Sequence, residues 1–97
     1  MIAINNVQPL NAVQLTEILK TEFPSFINEK LGSNLVVEFE HVSDFVNISF
    51  PEVIEGNAYT ITVSESSLAL TDHTTEGTYN AELIKEHLIA FLTLKAG

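Results

Sequence analysis

VVEFEHV, residues 36–42, brings Glu38, Glu40 and His41 within four consecutive positions. Two carboxylates and an imidazole are the donor set of many divalent-metal sites, and paired carboxylates can divide acid–base work between them. Spacing decides whether they can act together. In a strand, side chains alternate between faces, so Glu38 and Glu40 share one face about 7 Å apart along the chain. His41 then points the other way, and the segment by itself offers no compact Glu-Glu-His ligand set. Calcium would ask for six or more oxygens, and no spacing of the EF-hand kind occurs in the chain. No metal and no other cofactor is therefore expected, and the two glutamates read as the outer face of a strand.

The remaining reactive residues are weaker candidates. His87 lies on an apolar stripe between Leu83 and Phe91, the place of a histidine at the edge of a core. Asp72 and His73 adjoin at the end of a strand, where neighbouring side chains diverge. No serine sits in a G-x-S-x-G elbow, and Gly32, Gly56, Gly77 and Gly97 stand too far apart to cradle a phosphate. There is no cysteine, hence no disulfide, thiolate ligand or cysteine nucleophile. Asn47-Ile48-Ser49 matches a glycosylation acceptor, a common chance match. Catalytic residues are not expected, and the chain reads as non-enzymatic.

Binding is a different matter. The face that holds Glu38 and Glu40 should also present Val36, Val42 and Phe45. A phenylalanine beside Asp44, with Glu40 and Asn47 around it, has the composition of an apolar anchor with an acidic rim. Glu38, Glu40, Asp44, Phe45 and Asn47 are the partner-binding candidates. The alternative is that a helix, a loop or the N-terminal arm covers Phe45.

The elements that must position these residues follow from periodicity. Asn11 is placed to cap a helix, with Gln14 reaching back and Leu10 stapling onto Leu15. Leu15, Ile18, Leu19, Phe23, Phe26, Ile27 and Leu31 recur at helical spacing, with Pro24 expected to kink or split the helix after Glu22 and Gly32 to end it. A second helix, from Ala81 to about Leu94, carries Leu83, Ile84, His87, Leu88, Phe91 and Leu92, with Asn80 as its cap and Tyr79 as its staple.

Between the helices the period drops to two. A two-residue turn at Ser43-Asp44 pairs Phe39 with Ile48, Val37 with Phe50, and His41 with Val46. Glu40 then meets Asn47 and Glu38 meets Ser49 on the other face. Turns at Glu55-Gly56 and Ser66-Ser67 would set Phe50 against Ile61, Ile48 against Val63, and Val63 against Leu70. The face with Thr60, Thr62 and Ser64 reads as solvated. The polar connection 72–78 reads as mobile. The fold class expected is α+β: a two-layer, four-stranded antiparallel meander with N- and C-terminal helices over one face, α-β-β-β-β-α. Residues 1–97 make one domain, in which 1–10 is an arm or an edge strand. The helix–meander–helix plan resembles that of small acidic secretion chaperones, a likeness of plan that no motif carries.

Charge narrows the function. Thirteen acids face four lysines, for a formal charge of −9 over 97 residues that are 45% hydrophobic. Such a balance opposes direct contact with nucleic acid or anionic lipid, whose binding requires cations. The start of the chain shows no basic region followed by an apolar run, so a cytoplasmic location is expected. The leading expectation is a small acidic protein-binding domain (inhibitor, adaptor or chaperone-like) that docks on another protein, including one with a basic surface. A nucleic-acid mimic, setting carboxylates where phosphates would lie, is the alternative. A self-assembling subunit, dimeric through an open sheet edge or the N-terminal arm, is a further one.

Overall fold

In the computed structural model, residues 2–7, 10–32, 34–54, 56–74 and 81–96 are described, Ala81 by its backbone alone. Seven elements follow in order: β1 (Ile2–Asn5), α1 (Ala12–Leu31), β2 (Glu38–Val42), β3 (Phe45–Ser49), β4 (Asn57–Val63), β5 (Ser67–Asp72) and α2 (Ala81–Ala96). The strands form one antiparallel sheet in the order β1-β5-β4-β3-β2. The sheet thus has five strands where four were expected. The extra strand is the N-terminal segment, whose alternating Ile2 and Ile4 pair with Leu70 and Leu68 of β5. Ile4 is buried in the core, and that burial fixes the segment as a strand.

Helix α1 begins on the expected cap. The Asn11 side chain accepts from the Gln14 N–H at 2.8 Å, and the Gln14 side chain accepts from the Asn11 N–H at 3.1 Å. It ends at Gly32, whose φ of 63° is the left-handed conformation that glycine adopts without a Cβ penalty. The cap and staple proposed at Asn80 and Tyr79 lie outside the described residues, as does most of the 72–78 connection.

Pro24 does not split the helix. Ala12–Leu31 is continuous through it. Leu15, Leu19, Phe23 and Ile27 are all fully buried, so both sides of the proline must land on the same sheet. Burying Phe23 and Ile27 is worth roughly 3–6 kcal/mol together, against about 3 kcal/mol for a proline inside a helix. Burial wins. Pro24→Ala should therefore raise stability by about 1–2 kcal/mol, the helical gain less the unfolded-chain entropy that proline removes. A shift of the denaturant midpoint at constant slope would measure it.

Both helices lie on one face of the sheet, α1 against β2 and β3 and α2 against β1 and α1. The core between the layers is made by Val46, Ile48, Tyr59, Ile61, Leu68 and Leu70 from below and Phe23, Ile27, Ile84, Leu88 and Phe91 from above. Leu83, placed on the α2 stripe by its spacing, is 47% exposed; Ile84, Leu88, Phe91 and Leu92 form the buried face, one position away. His87 is half-buried with its ring against Phe26, 6.4 Å between centroids.

Register follows the turns. The β2–β3 pairing is the expected one, Phe39 with Ile48 and Glu40 with Asn47. In β3–β4, however, Ile48 faces Tyr59 and Val46 faces Ile61, four residues from the expected alignment. The chain turns early, because the N–H groups of Val53 and Ile54 both donate to the Phe50 carbonyl, at 3.0 and 2.8 Å. Pro51, unable to donate to a ladder, stands at that turn. In β4–β5, Ile61 faces Leu70 and Val63 faces Leu68, a slip of two caused by a turn tip at Glu65-Ser66. Both slips are even, so Val46, Ile48, Ile61, Val63, Leu68 and Leu70 keep their expected face; the register breaks only at a bulge between Ile48 and Ser49, past which Asn57 lies opposite Ser49.

Candidate functional site

The second face of the sheet is covered by no helix among the described residues. Its composition follows from the alternation just given. One row runs Val42, Phe45, Thr62, Ala69, Ala3 across the five strands, and the next runs Glu40, Asn47, Thr60, Thr71. Phe45 is 44% exposed and Val42, its pairing partner, 49%. Val36, on the approach to β2, is exposed as well.

The hairpin that carries Phe45 is held from its backbone. Ser43 takes a left-handed φ of 52° at the turn. The Asp44 carbonyl accepts the Val63 N–H at 2.8 Å, which ties the tip to the end of β4. His41, on the opposite face from Glu38 and Glu40, donates from Nε2 to the Ser43 carbonyl at 2.7 Å and is otherwise exposed. Of the five candidate residues, Glu38, Glu40, Phe45 and Asn47 share the open face, and Asp44 sits at the adjoining tip.

Asn47 has a structural duty there. Thr60 donates to its Oδ1 at 2.7 Å, and His73 Nε2 donates in turn to the Thr60 hydroxyl at 2.8 Å. The three residues lace β3, β4 and the chain after β5 together. This row is a tie across strands. Asp72, beside it, accepts from the Thr74 N–H and hydroxyl and pairs with Lys85 at 3.6 Å. Partial burial works to raise its carboxyl, but these bonds and the lysine outweigh it and hold the group below the usual carboxylate range. Across the pair, burial above all, then Asp72 and Glu82, push the Tyr59 phenol far up, so it stays neutral in the core.

Cations are unevenly shared among the acids. Lys85 serves Asp72 and Glu82, and Lys95 meets Glu22 at 2.6 Å. Glu38, Glu40 and Asp44 take part in no ion pair among the described residues. Among those residues, no group of three His, Asp or Glu side chains comes together in a way that could hold a metal ion.

Comparison of the chain with protein-family models, with curated proteins and with solved structures found no match. Its reading rests on its own geometry. That geometry adds a feature which sequence reasoning missed: a shallow hollow at the end of the sheet, between the hairpin tip and the start of α1. Leu10, Ala12 and Val63 give it apolar walls, and Asp44 and Glu65 stand at it as acids. Nothing in the pattern of residues points to Glu65, because the turn tip that brings it beside Asp44 is set by the β4–β5 register. No helix among the described residues is long and apolar enough to cross a membrane.

Proposed function

We propose that this chain is a small acidic, non-enzymatic protein-binding domain, acting as an inhibitor, adaptor or chaperone-like module. Its docking surface is the open sheet face at the β2–β3 hairpin. Phe45 and Val42 are the apolar anchor, and Glu38, Glu40, Asp44 and Glu65 form the acidic rim. The observation that carries this reading is the exposure of Phe45, 44%, on a face no helix among the described residues covers, beside Glu38, Glu40 and Asp44, which form no ion pair among those residues. Aromatic anchors inside a polar rim dominate the energy of protein interfaces. The partner fitting this surface has an apolar recess flanked by lysine or arginine.

The unpaired carboxylates also favour a second reading, a nucleic-acid mimic that blocks a basic groove with Glu38, Glu40 and Asp44. Salt separates the two. Attraction between exposed charges is screened over about 8 Å at physiological ionic strength and over less at higher salt, whereas a desolvated aromatic anchor is not. The tagged chain should retain one partner through washes at low and high salt, and Phe45→Asp should lose it. The substitution should change stability by less than about 1 kcal/mol, since the ring lies on the sheet face away from the core. A basic nucleic-acid-handling protein recovered only at low salt, and indifferent to Phe45→Asp, would favour the mimic instead.

A further inference from the structure

The two edges of the sheet are unlike. The β2 edge carries Glu38 and Glu40 and leads to Asp44, a charged edge of the kind that discourages strand-to-strand association. The β1 edge has no such guard. Residues 1–16 contain no Asp, Glu, Lys or Arg, in a chain whose formal charge is −9.

The backbone of β1 is arranged to continue the sheet. The Asn6 N–H donates to the Ser66 carbonyl at 3.0 Å. Antiparallel strands alternate between residues that exchange hydrogen bonds with the neighbour and residues that face away. With Ile4 opposite Leu68 and Ile2 opposite Leu70, the even positions bond to β5. Ala3 and Asn5 therefore turn their N–H and C=O groups to the open side. Alongside, β1 and α2 border an apolar hollow lined by Ile2, Ile4, Val7, Ile89 and Thr93, and Val7 is 65% exposed.

We propose that β1 is a self-association edge, at which two copies of this chain pair their β1 strands antiparallel about a two-fold axis near Ile4, forming a continuous ten-stranded sheet. The register is self-complementary. Ala3 of each copy exchanges backbone bonds with Asn5 of the other, and Ile4 meets its own symmetry mate. The helices of both copies fall on one side, because a two-fold axis perpendicular to the sheet preserves its faces. There the Val7 and Ile89 surfaces of the two copies close over the hollow.

Charge places any pairing of two copies at this edge. Two chains of the same strong negative charge repel least where charged side chains are missing, and β1, within the charge-free residues 1–16, is such a place, although α2 beside it carries Glu82, Lys85 and Glu86. The same argument sets the sign of the salt effect. Screening relieves the repulsion between copies without weakening the uncharged β1 strand pairing, so association tightens as salt rises. This edge is distant from Phe45, since β5 and β4 stand between β1 and β3.

Sedimentation equilibrium of the full chain tests the proposal across the micromolar range at low and moderate salt. The expected mass rises with concentration to twice the 10.7 kDa of one chain, with an association constant severalfold larger at the higher salt. Ala3→Pro and Asn5→Pro each delete one outward donor while sparing the bonds to β5, and each should return the mass to that of one chain. Hydrogen exchange on the unaltered chain is independent of whether those variants fold: the Ala3 and Asn5 amides should gain protection as concentration rises. One-chain mass at every concentration and salt would overturn the proposal and leave the edge to a strand from a different protein. A dimer that survives both proline substitutions, weakens with salt, or leaves the Ala3 and Asn5 amides unprotected would overturn it as well. Phe45→Asp should leave the mass unchanged, so loss of the docking partner and loss of the dimer are separate results.

Discussion

Replacing Phe23 with alanine should cost about 3–5 kcal/mol, the largest loss expected from any single truncation in this chain. The ring is fully buried and touches three elements. Phe91 of α2 meets it edge-on at 5.3 Å, Phe39 of β2 at 6.4 Å, and Phe26 one turn on in α1 stacks at 6.3 Å. Edge-to-face and offset arrangements of this kind add about 0.5–1.5 kcal/mol per pair beyond the area buried. A chain of this length has a total stability of about 5–15 kcal/mol, so the variant would keep little margin. Two comparisons isolate the cause. Phe23→Leu refills most of the space and should lose about 1–2 kcal/mol. Phe26→Ala removes a ring that is only half-buried and that meets Phe91 at the same 5.3 Å, and should cost clearly less than Phe23→Ala. Denaturation followed by circular dichroism, with unchanged slope, would give the three values on one scale. Equal losses for Phe23→Ala and Phe26→Ala would move the centre of the cluster out toward the helix surface.

Phe23 was legible in the sequence because helical spacing marks it, and the same is true of most of the core. Positions on a repeating element announce their face. The hairpin at Ser43-Asp44 was legible in register too, because a two-residue turn leaves no freedom in which residues meet. The β3–β4 register was not. Phe50 and Ile54 look like strand positions, and only their closure into a turn on the Phe50 carbonyl shows that the strand has already ended. The continuity of α1 through Pro24 was hidden for a related reason: the local cost of the proline is visible in the sequence, while the burial that outweighs it is a property of the sheet below.

The candidate surface divides along the same line. Phe45, Glu38 and Glu40 could be placed on one face from alternation alone, whereas Glu65 comes beside Asp44 only through the β4–β5 turn. The N-terminal strand was undecided between arm and edge because its partner, β5, lies more than sixty residues away in the chain. Asn6 gave no signal at all. An asparagine near Pro9 reads as loop, and nothing nearby reveals that its side chain is buried.

Asn6 is nonetheless the buried polar residue, among those described, whose loss should cost most. It is 5% exposed and closes two connections at once. Its Nδ2 donates to the Leu10 carbonyl at 2.9 Å and to the Ser64 carbonyl at 3.0 Å, and its Oδ1 accepts the Leu10 N–H at 3.1 Å. The link from β1 to α1 is thereby fastened to the turn between β4 and β5. Asn6→Ala removes all three bonds and leaves partly buried carbonyls and an N–H behind, for a loss of about 2–4 kcal/mol. Asn6→Asp is the sharper test. The introduced carboxylate keeps an acceptor for Leu10 but sets its second oxygen against the two carbonyls that Nδ2 had bridged. Burial and those carbonyls favour its neutral form, so its pKa in the fold lies above the unfolded value of about 3.9. Its penalty is then full above the folded pKa and fades as pH falls toward the unfolded one, where the protonated acid can donate again. Asp72 works in the opposite sense in both proteins: its carboxyl is held low, so the stability it gives is lost as pH falls through that value. The quantity to follow is therefore the difference between variant and unaltered chain at each pH. It should be large near neutrality and shrink in acid. A difference that stays constant would mean that the two Nδ2 bonds contribute little, and that the β1 connection is held by Ile4 and the pairing with β5 alone.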